Sequence, residues 1–280
     1  MEWIERLNKV IEYIEEHLTE KINYDQLAQI ADCPTYHFQK TFLYMTNMSL
    51  NEYIRKRRMS LAAVDLQTSQ TKIIDIALKY GYESPTAFNR AFQSVHGYAP
   101  SLVRKGNCSL KSYPTVKFTF SIEGNEALNY KILKKESFRI IGKSYPLSKE
   151  LTENFKHIPS RWDESLADGT LVQLSQLMDQ DPYALLGVSI HYLDDWRYMI
   201  AVKSEKINNA FDDYLIPATT WAVFSGQGSN TSLQELERRV IIEWLPTSGY
   251  QYANIPDIEV YIKADPNAAI YEYWLPVIKK

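Results

Sequence analysis

The chain has 280 residues, of which 45% are hydrophobic and 23% are charged, and its formal net charge is −3. This length exceeds the usual size of a single hydrophobic core, so we expect two domains, and the composition excludes a largely disordered chain. No apolar run is long enough to span a bilayer, and two cysteines without CxxC spacing give no support for a disulfide framework or a zinc cluster. We therefore expect a cytoplasmic protein that does not associate with membranes.

The charge is unevenly distributed along the chain. Residues 1–20 hold two basic and six acidic side chains, residues 21–106 hold eleven and six, and residues 107–280 hold eighteen and twenty-two. Contacts to nucleic-acid phosphates need local positive charge, so the net +5 of residues 21–106 keeps nucleic-acid binding open despite the negative total.

An opening amphipathic helix is predicted from apolar residues at three- and four-residue steps. These residues are Trp3, Leu7, Val10, Ile11, Ile14 and Leu18. The helix carries its glutamates and lysines on the opposite face, which is typical of a scaffold element.

A repeat follows this helix. The segment LAQIADCPTYHFQKTF at 27–42 reappears as IALKYGYESPTAFNRAF at 76–92. The matched pairs, each 50 residues apart, are Phe38 with Phe88, Lys40 with Arg90 and Phe42 with Phe92. Both copies predict a short helix, a tight turn and a second helix with a basic residue, which is a helix-turn-helix. Two such units could read successive major grooves, about 34 Å apart, without dimerisation.

Capping residues and apolar spacing orient the helices of each copy. Asn23 is the predicted N-cap of one helix, Pro34 begins the first recognition helix, and Ser84 with Pro85 begins the second. The paired phenylalanines face inward, which leaves polar side chains that can bond base edges on the outer face. The base-reading candidates are Tyr36, Gln39, Lys40, Thr86, Ala87 and Arg90.

A basic run, Arg55–Arg58, lies on a long helix predicted between the two units. Such a run is commonly a solvated helix face, but beside two helix-turn-helix units a phosphate or packing role is favoured. The phosphate-contact candidates are Arg55 and Arg57.

Residues 21–105 resemble the DNA-binding domain of AraC/XylS-family transcription regulators. The segment YGYESPTAFNRAFQSVHGYAPSLVR, residues 80–104, carries most of the resemblance, including Gly97 and Pro100. The first unit departs from the family pattern, because Asn47 and Leu50 stand where Gly and often Pro occur and Pro34 replaces a Ser cap. The resemblance implies sequence-specific binding to double-stranded promoter DNA.

The pattern changes to period-two apolar alternation after residue 112, which predicts strands. The predicted strands are VKFTFSI, LNYKIL, SFRIIGKSY, ALLGVSIHY, WRYMIAVKS, TTWAVFSGQG, IEVYIKA and AIYEYWLPV, with helices at 148–157, 162–178 and 232–244. The order predicts an α+β domain with two related strand-helix-strand-strand halves. The predicted division is an all-α domain at 1–106, a linker at 107–112 and the α+β domain at 113–280.

An acidic residue, Glu259, interrupts an otherwise apolar and aromatic strand. Alternation places Ile258, Val260 and Ile262 on one face and Glu259 with Tyr261 on the other. A carboxylate among aromatic rings can meet a cationic ligand, whereas the plainer interpretation is a solvated glutamate on an open sheet face.

Residues 110–280 resemble the GyrI-like small-molecule-binding domain in the segments IPATTWAVFSGQG, IIEWLPTSGYQY, IPDIEVYIKADP and YEYWLPV. In that family an acidic residue at this strand position often engages lipophilic cations, and Glu259 matches it. The predicted walls of the effector site are Trp162, Trp221, Tyr261 and Trp274. An AraC-type domain placed before a GyrI-like domain is the arrangement of the Rob-like regulators.

The resemblances together imply a transcription regulator, and by analogy an activator that engages RNA polymerase, whose C-terminal domain binds a small effector. Two alternatives stay open: a hydrolase in which Glu259 and a nearby Tyr activate water, and a docking module for a protein partner. No catalytic triad, P-loop or metal-ligand spacing is found, so we expect no enzyme, cofactor or metal.

Overall fold

The computed structural model describes residues 2–106, 108–119, 127–192, 195–265 and 268–280. The chain divides into two compact units, Met1–Glu123 and Gly124–Lys280. The division at 1–106, 107–112 and 113–280 stays a prediction, and its residue Asn107 lies outside the described part of the chain.

The first unit is built from helices in its described residues. Their bounds are α1 Glu2–Glu16, α2 Tyr24–Ala31, α3 Thr35–Thr46, α4 Leu50–Thr68, α5 Ile73–Lys79, α6 Pro85–His96 and α7 Pro100–Arg104. The predicted caps are confirmed: Asn23 Oδ1 accepts from the N–H groups of Asp25 and Gln26, and Ser84 Oγ accepts from that of Ala87. Pro34 occupies the cap position itself, one residue earlier than predicted.

The departures of the first repeat from the family pattern are tolerated by the backbone. Asn47 ends α3 in the left-handed region with φ +53°, as Gly97 ends α6 with φ +82°. Asn is among the few non-glycine residues that adopt this region readily. Leu50 and Pro100 each begin the next helix, so both copies have the same turn despite their different residues.

The predicted strand VKFTFSI is wrong in its described part. Residues 116–119 form no strand, and Val116 and Phe118 pack into the core of the helical unit instead. The rest of this predicted strand, residues 120–122, lies outside the described residues. Alternation alone cannot tell a strand from an extended segment that buries every second side chain against helices.

The second unit combines strands and helices. Its strands are β1 Tyr130–Lys135, β2 Phe138–Pro146, β3 Leu185–Tyr192, β4 Asp195–Lys203, β5 Asp212–Ile216, β6 Thr219–Gly228, β7 Tyr250–Tyr252, β8 Ile258–Lys263 and β9 Ala269–Lys279. Its helices are α8 Leu151–Ala167, α9 Thr170–Leu177, α10 Asn230–Arg239, a π-helical turn Val240–Trp244 and α11 Leu245–Thr247. The break between α8 and α9 falls at Gly169, which has φ +79°, and not between residues 157 and 162 as predicted.

The strands form one antiparallel sheet in the order β1-β6-β9-β8-β3-β4-β2-β5, with β7 beside β9. The two halves, β2-α8-α9-β3-β4 and β6-α10-β8-β9, meet at the central pair β3 and β8. This arrangement confirms the predicted α+β class with two related halves. The short strands β5 and β7 were not predicted.

The two faces of this sheet have different coverings. Helices α8, α9 and α10 pack on one face, which we call the helix-covered face, through residues such as Trp162, Leu174 and Leu233. The opposite face buries its own apolar cluster, to which Leu133 of β1 and Tyr214 of β5 both contribute.

Candidate functional site

The first recognition helix, α3, has buried side chains where exposed ones were predicted. Phe38 and Phe42 are fully buried as expected, but Gln39 and Lys40 are also buried, at 8% and 4% exposure. Lys40 Nζ lies 5.9 Å from the ring centroids of Tyr36 and Tyr44, one turn before and after it, which is within cation–π range. The expected exposure of Gln39 and Lys40 is wrong, and base reading by these residues and Tyr36 stays a prediction.

The second recognition helix, α6, presents the predicted face to solvent. Phe88 and Phe92 are fully buried, whereas Thr86, Ala87 and Arg90 are exposed. Gln93, one turn beyond Arg90, extends the same exposed face and was not predicted, although its three-residue spacing from Arg90 was a visible signal. This helix can therefore offer a guanidinium, an amide and small side chains to base edges.

The basic run on α4 divides between solvent and the protein interior. Arg55 is exposed, as a phosphate contact requires. Arg57 instead donates from Nε and Nη2 to the Glu15 carboxylate at 2.6–3.0 Å and from Nη1 to the Tyr113 carbonyl at 2.5 Å. The predicted phosphate role of Arg57 is therefore corrected, because its guanidinium holds α4 to α1. Arg58 similarly donates to the Leu18 carbonyl near the end of α1.

Four side chains on the helix-covered face of the sheet form one hydrogen-bonded cluster, which we call the Glu259 cluster. Tyr198 and Tyr261 both donate to Glu259 Oε2, at 2.7 and 3.0 Å. The indole N–H of Trp162 on α8 donates to the Tyr198 hydroxyl at 3.0 Å. The rings of Trp162 and Tyr261 meet edge to face, 4.8 Å apart. Two elements of the first half and β8 of the second thus converge on one carboxylate.

A glycine makes room for this cluster. Gly187 of β3 stands opposite Glu259 of β8 in the sheet. A Cβ at this position would overlap the Tyr198 hydroxyl and would lie 2.5 Å from Glu259 Oε2. Neither Gly187 nor Tyr198 was predicted, because their part in the site depends on the pairing of distant strands.

The phenols of the cluster remain protonated at neutral pH. Burial, and after it the neighbouring Glu259 carboxylate, raises the pKa of Tyr198 and of Tyr261 well above the ordinary value of 10. Both hydroxyls can therefore donate. Glu259 Oε2 accepts both bonds. The Glu259 side chain is half-buried on this aromatic face.

The structure does not bring Trp221 and Trp274 to this cluster. Ile258 pairs with Trp274 and Glu259 pairs with Tyr273, so the two tryptophans share the opposite face of the sheet. There the Trp221 and Trp274 rings lie 5.8 Å apart in the apolar cluster. Their predicted role as walls of the Glu259 site is wrong, whereas Trp162 and Tyr261 do lie beside Glu259.

No helix among the described residues is long and apolar enough to cross a membrane. The same residues contain no cluster of His, Cys, Asp or Glu that could hold a metal ion.

Comparison with known proteins assigns both units. Residues 27–106 match the family model of a helix-turn-helix domain, and residues 131–277 match that of an integron-associated effector binding protein. The chain is 39% identical over 98 residues to the HTH-type transcriptional activator AarP of Providencia stuartii, covering 35% of this chain and 73% of AarP. It is 38% identical over 95 residues to the regulatory protein SoxS of Salmonella typhimurium, covering 34% of this chain and 89% of SoxS.

Among solved structures, SAV2435 bound to tetraphenylphosphonium is 23% identical, covering 54% of this chain and 94% of that one with a TM-score of 0.48. A likeness below 0.5 assigns no function to this chain. The family assignment comes instead from the two family models and the sequence relatives. The chain belongs to the AraC-type helix-turn-helix transcription regulators, and it joins their DNA-binding domain to a GyrI-like effector-binding domain.

Proposed function

We propose that this DNA-binding transcription regulator is an activator and that its effector is a lipophilic cation bound at Glu259. The observation that carries the proposal is the Glu259 cluster, in which a carboxylate stands among the rings of Trp162, Tyr198 and Tyr261. A cation that meets both a carboxylate and aromatic rings is attracted by charge and by the ring quadrupoles. The apolar part of such an ion suits the aromatic surroundings.

Tryptophan fluorescence tests this proposal, because Trp162 belongs to the cluster. We expect tetraphenylphosphonium to quench the emission of the full-length protein in a saturable manner. Glu259→Gln keeps the size and hydrogen-bonding capacity of the side chain but removes its charge, and it should weaken binding at least about tenfold. Glu136→Gln, a change at an exposed glutamate of the same unit, is the control. Equal affinity in all three proteins would refute a role for the Glu259 charge.

Gly187→Ala provides a second, geometric test of the same site. The added methyl must displace the Tyr198 hydroxyl or the Glu259 carboxylate, so cation binding should fall while DNA binding is kept. Ser137→Ala, a change at an exposed residue of the same unit, is the control. Binding that survives Gly187→Ala unchanged would place the cation elsewhere.

We further propose that both helix-turn-helix units read bases. The exposed face of α6 supports this for the second unit, and the repeat supports it for the first. Selection from random duplex DNA should recover two half-sites about one helical turn apart. Arg90→Ala should cost roughly 1 to 3 kcal/mol on that site and relax specificity at one base pair. Recovery of a single half-site would limit base reading to one unit.

Activation through RNA polymerase is proposed because AarP, a relative of the DNA-binding unit, is described as a transcriptional activator. Transcription by purified RNA polymerase from a promoter carrying the selected site should rise when the protein and the cation are both added. A fall in transcript would indicate a repressor. The cation should be recovered unchanged after incubation, since we propose binding without a catalytic step; its conversion to a product would favour the hydrolase alternative.

A further inference from the structure

An extended segment, residues 108–119, crosses both helix-turn-helix units, and we call it the splint. Cys108, Leu110 and Tyr113 pack against the core of the second unit, which α5 and α6 build with the end of α4. Val116 and Phe118 pack against the core of the first, which α1, α2 and α3 build with the start of α4. The splint lies outside both residue ranges that match family models, 27–106 and 131–277.

The middle of the splint is hydrogen-bonded to α4. The Tyr113 N–H donates to Ser60 Oγ at 3.0 Å, and its carbonyl accepts from Arg57 Nη1 at 2.5 Å. Further along the splint, the Val116 N–H donates to the Tyr53 hydroxyl at 3.4 Å. Because rising numbers in the splint meet falling numbers in α4, the two run antiparallel side by side.

The far end of the splint is fixed to α1 and α3. The Asn8 amide donates to the Phe118 carbonyl at 3.0 Å and accepts from the Phe118 N–H at 2.8 Å, so one side chain satisfies both backbone groups. The Phe118 ring is 6% exposed and meets Phe42 of α3 edge to face at 6.0 Å. The first recognition helix is thereby in contact with the splint.

Helix α4 also contributes to both cores, and a single helix can bend. A second connection, bonded along α4 and packed into both cores, removes much of that freedom. We propose that the splint holds the two helix-turn-helix units at a fixed separation and so sets the half-site spacing that the protein accepts, with Asn8 and Phe118 as positioning residues. The proposal rests on the proposed function in which both units read bases.

Asn8→Ala in the full-length protein is the test, because it removes both bonds to Phe118 and leaves the rest of the splint in place. Thr119→Ala, a change at the exposed neighbour of Phe118, is the matched control. Affinity is measured for duplexes with the selected spacing, for the same half-sites one base pair further apart, and for a single half-site.

We expect the wild type and Thr119→Ala to discriminate between the two spacings. The discrimination ratio is the affinity for the selected spacing divided by the affinity for the longer spacing. In Asn8→Ala this ratio should fall about three- to tenfold, the effect of one or two hydrogen bonds, while the affinity for a single half-site is unchanged. An unchanged ratio, with a circular dichroism spectrum like that of the wild type, would overturn the splint. If Asn8→Ala lowered the affinity for a single half-site by the same factor as the affinity for the selected spacing, the proposal would also be overturned. Asn8 would then support only the fold.

A distance measurement tests the splint independently of base reading. Spin labels on cysteines introduced at the exposed positions Lys21 and Gln93, in a chain whose native cysteines are replaced, report the separation of the two units. Asn8→Ala should broaden the distance distribution relative to Thr119→Ala, and equal widths would contradict the proposal. If the wild type recognises a single half-site, the proposal that both units read bases fails. The distance distribution still tests whether the splint fixes the separation of the two units.

Discussion

Two arginines of the basic run on α4, Arg55 and Arg57, lie in different environments. Arg55 is exposed, whereas Arg57 is bound to Glu15, and the side chains of that pair are 13% and 19% exposed. Burial by itself raises the pKa of Glu15, but hydrogen bonds from Arg57 and Tyr53 outweigh it and hold that pKa below its ordinary value. The pair therefore stabilises the fold above pH 4.5, and this stabilisation is lost as the pH falls through the lowered pKa.

Arg57→Ala should affect mainly the stability of the protein, and Arg55→Ala mainly its binding to DNA. Arg57→Ala leaves the half-buried Glu15 without its guanidinium partner and should lower the free energy of unfolding by roughly 1.5 to 3 kcal/mol. Arg55→Ala should change the free energy of unfolding by less than about 0.5 kcal/mol. It should reduce the slope of the logarithm of DNA affinity against the logarithm of salt concentration by about one. Urea unfolding and binding isotherms at several salt concentrations measure both. A reduced salt slope in Arg57→Ala without loss of stability would reinstate the phosphate role.

At the scale of the element, the helix caps and inward faces of the repeat could be predicted because their signals are local, whereas the burial of Gln39 and Lys40 on α3 could not. The caps at Asn23 and Ser84 and the inward phenylalanines depend on residues within one or two turns of each other. The partner of Arg57 could not be predicted in this way, since Glu15 is 42 residues distant and a helical pattern shows only which face a residue occupies.

In the sheet, alternation predicted which residues of one strand share a face. The shared face of Glu259 and Tyr261 is confirmed by the hydrogen bond between their side chains. It could not relate the faces of different strands. That relation depends on register, and in the observed register Trp274 stands opposite Ile258 and not opposite Glu259. A shift of one residue would have placed Trp274 beside the carboxylate. The prediction that Trp221 and Trp274 are walls of the site therefore failed, although the strands that carry these two residues and Glu259 were located correctly.

Helix α6 is joined to α4 by a buried histidine. His96 is 3% exposed, its Nε2 lies 3.0 Å from the Met59 carbonyl, and its ring contacts Phe92 at 4.3 Å. Its Nδ1 has no hydrogen-bond partner among the described residues. Burial lowers the pKa of His96 from 6.5, because a charged ring there would carry an unpaired N–H in an apolar core.

The second helix-turn-helix unit should therefore be less stable in mild acid. Below pH 6.5 the unfolded chain takes up a proton that the folded chain resists, so the free energy of opening falls until the pH reaches the lowered pKa of His96. Amide hydrogen exchange of α6 at pH 7.5 and 5.5, corrected for intrinsic rates, measures this fall. His96→Leu should flatten the dependence, while the exposed control His157→Gln should retain it. An equal slope in wild type and His96→Leu would assign the effect to another group.

At the scale of the whole molecule, an effector can regulate DNA binding only if it favours one state of the protein over another. A cation that binds the Glu259 cluster equally well in DNA-bound and free protein would change nothing, however tightly it binds. Regulation by the proposed cation therefore requires a coupling free energy between cation binding and DNA binding, and this quantity can be measured.

Coupling of this kind is reciprocal. If tetraphenylphosphonium changes the affinity for the selected DNA site by some factor, that DNA must change the affinity for the cation by the same factor, which for allosteric proteins is commonly about 5 to 150. Fluorescence titration of the cation with and without saturating DNA, and of DNA with and without saturating cation, measures both factors. Glu259→Gln should abolish both changes in affinity, while its affinity for DNA in the absence of the cation should equal that of the wild type. Equal cation affinity in the presence and absence of DNA would show that the Glu259 cluster binds its ligand without regulating DNA recognition.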